Sequence, residues 1–173
     1  MLQLCEHFGH PQRNNFKIIH VAGTNGKGSV SFKTANALTE MGFKVGMFTS
    51  PHISCFRERF QIDGKLCTME ELVETCDEVF DAVIKNNFDV RFFEIVTILG
   101  LIIFRKHKCD YVVLECGLGG KLDATNVCSY PDVIVSTITS IGMDHMDVLG
   151  NSLDSIAKEK SGVIKPNVPC VLG

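Results

Sequence analysis

A chain of 173 residues, 45% hydrophobic and 21% charged, has enough apolar content for one domain with a buried core. Its net charge of −3 gives no basic field for nucleic acid or an anionic membrane. The longest apolar run, residues 95–104, is about half a membrane span and is closed off by Glu94 and Arg105; the opening residues MLQLCEHFGH lack the apolar stretch of a secretory leader.

In chain order, residues 16–22 (FKIIHVA) read as a buried strand that runs into the Gly-rich GTNGKGS and then a helix over 29–41, which Gly42 is placed to end. FKVGMFTS follows as a second strand. Thr68 and Glu71 form a capping box that opens an amphipathic helix, with Leu72, Val73, Cys76, Val79, Phe80, Val83 and Ile84 expected on its inner face. FFEIVTILGLIIF is apolar nearly all round and predicts a buried helix. YVVLE and DVIVSTIT are short continuous apolar runs, as in parallel strands covered on both faces. NSLDSIAKEKSG predicts a last helix capped by Asn151 or Ser152, and VPCVLG begins one more strand. Strands alternating with helices indicate an α/β fold with a mainly parallel sheet flanked by helices. Because the pattern stops on a strand, the chain is expected to be part of a longer protein. The eight cysteines form no Cys-x-x-Cys pair and are scattered, which predicts reduced thiols rather than a zinc site or disulfide framework.

A strand, a Gly-rich turn with a lysine and a helix start make a phosphate-binding arrangement. Glycines let backbone N–H groups approach phosphate oxygens, and the helix N-terminus adds partial positive charge. Gly23, Thr24, Asn25, Gly26, Lys27, Gly28 and Ser29 are the candidate nucleotide contacts, with Lys27 able to reach the β- and γ-phosphates. The segment departs from G-x-x-x-x-G-K-[ST]: Val21 stands at the first glycine position, and Gly28 separates Lys27 from Ser29. A plain Gly-rich turn is the competing reading. Glu115 ends an apolar strand, where open parallel sheets bind ligands, and a carboxylate there suits Mg²⁺. A solvated strand-end charge is the alternative. His145, in the polar loop SIGMDHMD, and Lys160, on the last predicted helix, would by themselves be ordinary surface groups.

The string HVAGTNGKGSV resembles the nucleotide loop of the folylpolyglutamate synthase and dihydrofolate synthase family, within the Mur ligase group. TSPH with FRERF, FFEIVT, LECGLGGKLDATN and TSIGMDH through IAKEKSGVIK resemble further motifs of that family, in order, so the likeness runs from His20 to Lys165. Gly28-Ser29 after the lysine favours the folate branch over other Mur ligases, which usually place two hydroxyl residues there.

The resemblance implies a P-loop-containing Mur-ligase central domain over 1–173, truncated, with a separate C-terminal glutamate-ligase domain outside it. It implies Ser50, Glu115 and His145 as magnesium ligands and Lys160 as a carbamylated lysine, with Lys27, Lys160 and His145 the catalytic set. It also implies that Arg91, Phe92, Phe93 and Glu94, with Leu122, Asp123 and Ala124, touch a pterin or folate. For Phe92 and Phe93 stacking competes with core packing; Asp123 could accept pterin hydrogen bonds. The implied activity is ATP-dependent addition of L-glutamate to dihydropteroate, to the γ-carboxylate of folates, or to both, through an acyl phosphate. The complete enzyme is expected to be a monomer in the cytoplasm, with a mitochondrial form left open. Another Mur-type ligase, of peptidoglycan or cyanophycin, and a non-catalytic nucleotide-binding truncation are the rival readings.

Overall fold

The computed structural model describes residues 1–13 and 16–173. A short helix, α1 (Leu2–His7), precedes strand β1 (Lys17–Ala22) and helix α2 (Lys27–Glu40). Strand β2 (Val45–Phe48) leads to a two-strand meander, β3 (Phe60–Ile62) and β4 (Lys65–Leu66). Helices α3 (Met69–Asn86) and α4 (Phe92–Lys106) follow, then β5 (Tyr111–Glu115) and β6 (Val133–Ile138). Helix α5 (Met146–Leu149), helix α6 (Leu153–Lys160) and strand β7 (Cys170–Leu172) complete the order.

Among the described residues the seven strands form one sheet, ordered β4-β3-β2-β5-β1-β6-β7. The five from β2 to β7 in that order are parallel, and β3 and β4 add an antiparallel edge. Side chains alternate across the sheet with period 2. Along β5, Val112 and Leu114 enter the large core under α3 and α4, while Val113 enters the smaller core with Ala35 of α2. Both faces are therefore covered, and the central strands are apolar throughout, as a parallel sheet requires. Helix α4 buries every residue from Val96 to Phe104, which explains its lack of a polar face.

Helix α3 starts on the expected box: Thr68 Oγ1 accepts from the Glu71 N–H at 3.1 Å, and Glu71 Oε2 accepts from the Thr68 N–H at 2.9 Å. Its inner face differs from the sequence reading. Leu72, Thr75, Val79 and Ala82 are buried, whereas Val73, Phe80 and Ile84 are exposed. The apolar residues of this helix span more than one face. Packing against α4 selects the stripe containing Thr75, whose hydroxyl is satisfied by donating to the Glu71 carbonyl at 2.7 Å. The hairpin β3–β4, turning at Asp63-Gly64 with both residues at positive φ, and the short helices α1 and α5 add to the elements expected from sequence. All eight cysteines are free.

Candidate functional site

Strands β5, β1 and β6 lie side by side and end at Glu115, Ala22 and Ile138. Three loops therefore open at one edge of the sheet, at the carboxyl ends of the strands, where α/β sheets bind ligands. The loop after β1 is stapled to the one after β6. Thr139 Oγ1 donates to the Asn25 carbonyl at 2.7 Å, the Asn25 N–H donates to Ser140 Oγ at 2.9 Å, and the Gly142 N–H donates to Thr24 Oγ1 at 3.0 Å. Gly23 has φ +147°, and a Cβ there would sit 1.9 Å from Thr139 Oγ1, so no other residue fits. Thr139, Ser140 and Gly142 were not among the sequence candidates. Their signals were a polar run following an apolar strand and their place in the TSIGMDH motif.

Lys27 is the first residue of α2, and its ammonium donates to the carbonyls of Gly23 and Thr24, each at 3.1 Å. The Lys160 ammonium, at the end of α6, donates to the same Gly23 carbonyl at 2.9 Å. Two lysines far apart in sequence thus share one acceptor at the base of the Gly-rich loop. Lys160 is only 4% exposed, not the surface residue its sequence context suggests by itself. Burial pushes its pKa down from the ordinary lysine value, and the nearby charge of Lys27 pushes it the same way.

Glu115 is 3% exposed, so the solvated strand-end reading does not hold. Burial pushes its pKa up to about 7, while the charge of Lys27 and a hydrogen bond from the Ser50 N–H pull the other way. Its Oε2 is buried without a protein partner among the described residues. Glu115 lines a groove with Gly28, Thr49 and Ser50. His145 and Asp144 line a separate polar pocket with Gly23, Thr24, Lys27 and Lys160. His145 takes φ +48° at the head of α5, and its Nε2 lies 3.6 Å from Asp144 Oδ2. Asn25, Gly26, Gly28 and Ser29 are exposed along the loop and the first turn of α2. Among the described residues no three His, Cys, Asp or Glu side chains converge into a metal cage.

A second pocket, about 430 Å³, adjoins the first and brings together Arg91, Phe93, Glu94, Leu122, Asp123 and Ala124. Leu118 lines both pockets. Phe92 stands apart from this group, exposed and 6.4 Å from the Phe56 ring. Glu94 Oε2 accepts from the Arg91 N–H at 2.8 Å. The Asp123 carboxylate is already engaged. Oδ2 accepts the N–H groups of Gly117 and Leu118, and Oδ1 accepts the N–H and hydroxyl of Thr125. Four donors fill its lone-pair positions, so the pterin bonds read from the sequence find no free acceptor there in this arrangement. Val148, Leu149 and Glu159 also line the pocket, brought in by α5 and α6 with no local sequence signal.

The decisive comparison is with family models: the Mur ligase middle domain matches residues 21–169. The chain belongs to the Mur ligase middle-domain family. Its relatives carry the folate names the motifs had implied. It is 45% identical over 157 residues to a folylpolyglutamate synthase of Arabidopsis thaliana, covering 88% of this chain and 25% of the plant protein. It is 42% identical over 176 residues to the dihydrofolate synthase/folylpolyglutamate synthase of Bacillus subtilis, covering 99% of this chain and 40% of the bacterial protein. Among solved structures, an FPGS–AMPPCP–folate complex superposes with a TM-score of 0.93 at 38% identity, covering 99% of this chain and 42% of that one. The chain thus spans a quarter to about two fifths of these Mur ligase relatives. Among the described residues no helix is long and apolar enough to cross a membrane.

Proposed function

We propose that these 173 residues are the ATP-binding middle domain of a ligase that joins L-glutamate to dihydropteroate, to the γ-carboxylate of folates, or to both, with a glutamate-handling C-terminal domain lying outside them. The observation that carries this reading is the shared wall at Leu118. The lysine-lined phosphate loop lies on one side, and a pocket of about 430 Å³ holding Phe93, Leu122 and Ala124 lies on the other. A phosphate donor and an acceptor carboxylate bound in the two pockets would meet at that wall. The solved complex that contains both AMPPCP and folate supports the same pairing.

In this mechanism Lys27 leaves the carbonyls of Gly23 and Thr24 for the phosphate oxygens, where its charge offsets that developing on the transferred group. The acceptor carboxylate takes the γ-phosphoryl group to give an acyl phosphate and ADP. The glutamate amine then attacks the acyl carbon, phosphate leaves, and the amine proton passes to solvent. No protein nucleophile is needed; positioning does most of the work.

The donor set suits Mg²⁺, which wants one or two hard oxygen ligands and completes its shell with water and phosphate. Glu115 Oε2, buried and unpartnered, has the character of such a ligand. Glu115 and Ser50, which line one groove, and His145, which lines the pocket with Lys27, are the residues that would hold magnesium. Bound magnesium would neutralise triphosphate charge. Lys160, buried with a depressed pKa, is suited to react as a free amine with CO₂, and the carbamate would turn a cation beside the phosphates into an anion.

The test is ADP release by the complete gene product with glutamate, comparing dihydropteroate and tetrahydrofolate as acceptors. Lys27→Ala is expected to lower turnover by roughly 10²–10³-fold, the loss typical when one preorganised donor is removed. Normal turnover by that variant, or ADP release with neither acceptor, would sink the reading.

A further inference from the structure

The mechanism above leaves one buried polar chain unused. His20 on β1 is fully enclosed, with Nε2 2.8 Å from Thr125 Oγ1 and 3.1 Å from Cys116 Sγ. The Thr125 hydroxyl lies 2.5 Å from Asp123 Oδ1. Three backbone N–H groups already donate to the two Asp123 oxygens, and the Thr125 hydroxyl donates to Oδ1 as well, so that hydroxyl is left to accept from the His20 Nε2–H. This assigns the tautomer. Nδ1 is bare and has no partner among the described residues, an arrangement cheaper than burying an unpaired N–H. Burial lowers the ring pKa to about 3, with the Lys165 charge acting the same way, so the imidazole stays neutral. Asp123 then passes the line on, through Oδ2, to the N–H groups of Gly117 and Leu118, each at 2.9 Å.

A continuous set of bonds therefore connects the strand feeding the phosphate loop with the segment 116–125, which walls both pockets. That segment is wedged. A Cβ on Gly117 would lie 2.6 Å from the Phe93 ring, and one on Gly120 would lie 2.8 Å from the Lys160 carbonyl. Phe93 belongs to the acceptor pocket, and Lys160 to the phosphate side. With no slack at either contact, a shift on one side has to be taken up by the wall and by what anchors it.

We propose that His20, acting through Thr125 and Asp123, is a positioning residue that couples occupancy of the nucleotide pocket to binding in the Phe93–Leu122 pocket. The proposal rests on the ligase reading and gives that site a means of binding its two substrates interdependently. A purely structural role for His20 would affect stability and leave the interdependence of the two ligands unchanged.

The test is calorimetry on the complete gene product with AMPPCP and folate as probes, each titrated alone and in the presence of the other. Wild-type protein is expected to bind each probe at least about fivefold more tightly in the presence of the other than alone, the lower end of typical coupling. Thr125→Val, nearly isosteric but unable to relay the bond, is expected to bring that factor to about one while each probe alone stays within about threefold of wild type. Thr125→Ser is expected to keep the coupling, and His20→Phe to behave as Thr125→Val. Unchanged coupling in Thr125→Val and His20→Phe overturns the proposal while leaving the ligase reading intact, as does a fall in melting temperature with the coupling factor preserved. Wild-type protein that binds neither probe overturns the ligase reading and this inference together.

Discussion

Glu115 shows how burying a single carboxylate ties stability to pH. Its carboxyl rises from 4.5 to about 7 because burial penalises the charged form more than Lys27 and the Ser50 N–H favour it. A group whose folded pKa lies above its unfolded one stabilises the fold only while protonated. That contribution is complete below pH 4.5 and is gone above about 7. In the presence of a chelator, Glu115→Gln is expected to raise stability above pH 7 by on the order of 3 kcal/mol and to change little near pH 4.5. Melting curves across that range check it; parallel curves for the two proteins would mean the carboxylate is hydrated. Lys160 carries the opposite shift. Burial and the charge of Lys27 make its free amine more available, so mass spectrometry in bicarbonate buffer is expected to find an added carboxyl group there. A plain amine in active, magnesium-loaded enzyme would remove carbamylation from the mechanism.

At the scale of elements, α3 offers the clearest measurement. The Thr68–Glu71 box closes its N-terminus, and Glu71 Oε1 also lies 2.6 Å from His107 Nε2, tying that end to α4. Thr68→Ala is expected to cost about 1 kcal/mol in a urea unfolding curve, with no effect on nucleotide affinity. That cap was legible in the sequence because the chemistry is local, as was Ser152 at the head of α6, whose Oγ accepts from the Ser155 N–H at 3.1 Å. Strands β1, β5 and β6 and helix α4 were legible because continuous apolar runs of those lengths have few other uses. The exposed positions Val73, Phe80 and Ile84 were misread because periodicity gives an apolar arc without saying which part of it a neighbour covers. The Gly-rich loop announced itself, but its clamp by Thr139 and Ser140 did not, since residues more than a hundred positions apart meet only through the strand order. By contrast, the Asp123 bond to the Thr125 N–H is a local cap at the head of residues 124–127, a pattern that was passed over in favour of pterin recognition.

For the whole molecule, the sheet order decides where the site lies. Placing β1 between β5 and β6 sets three loops at one edge. The same topology sets an order of events. Lys160 reaches the Gly23 carbonyl across 137 positions of sequence. During synthesis the glycine turn leaves the ribosome early, yet it has to wait for α6 before its floor is closed. A nascent chain that has folded only as far as β5 lacks that donor, so the floor of the turn is completed late, when α6 arrives.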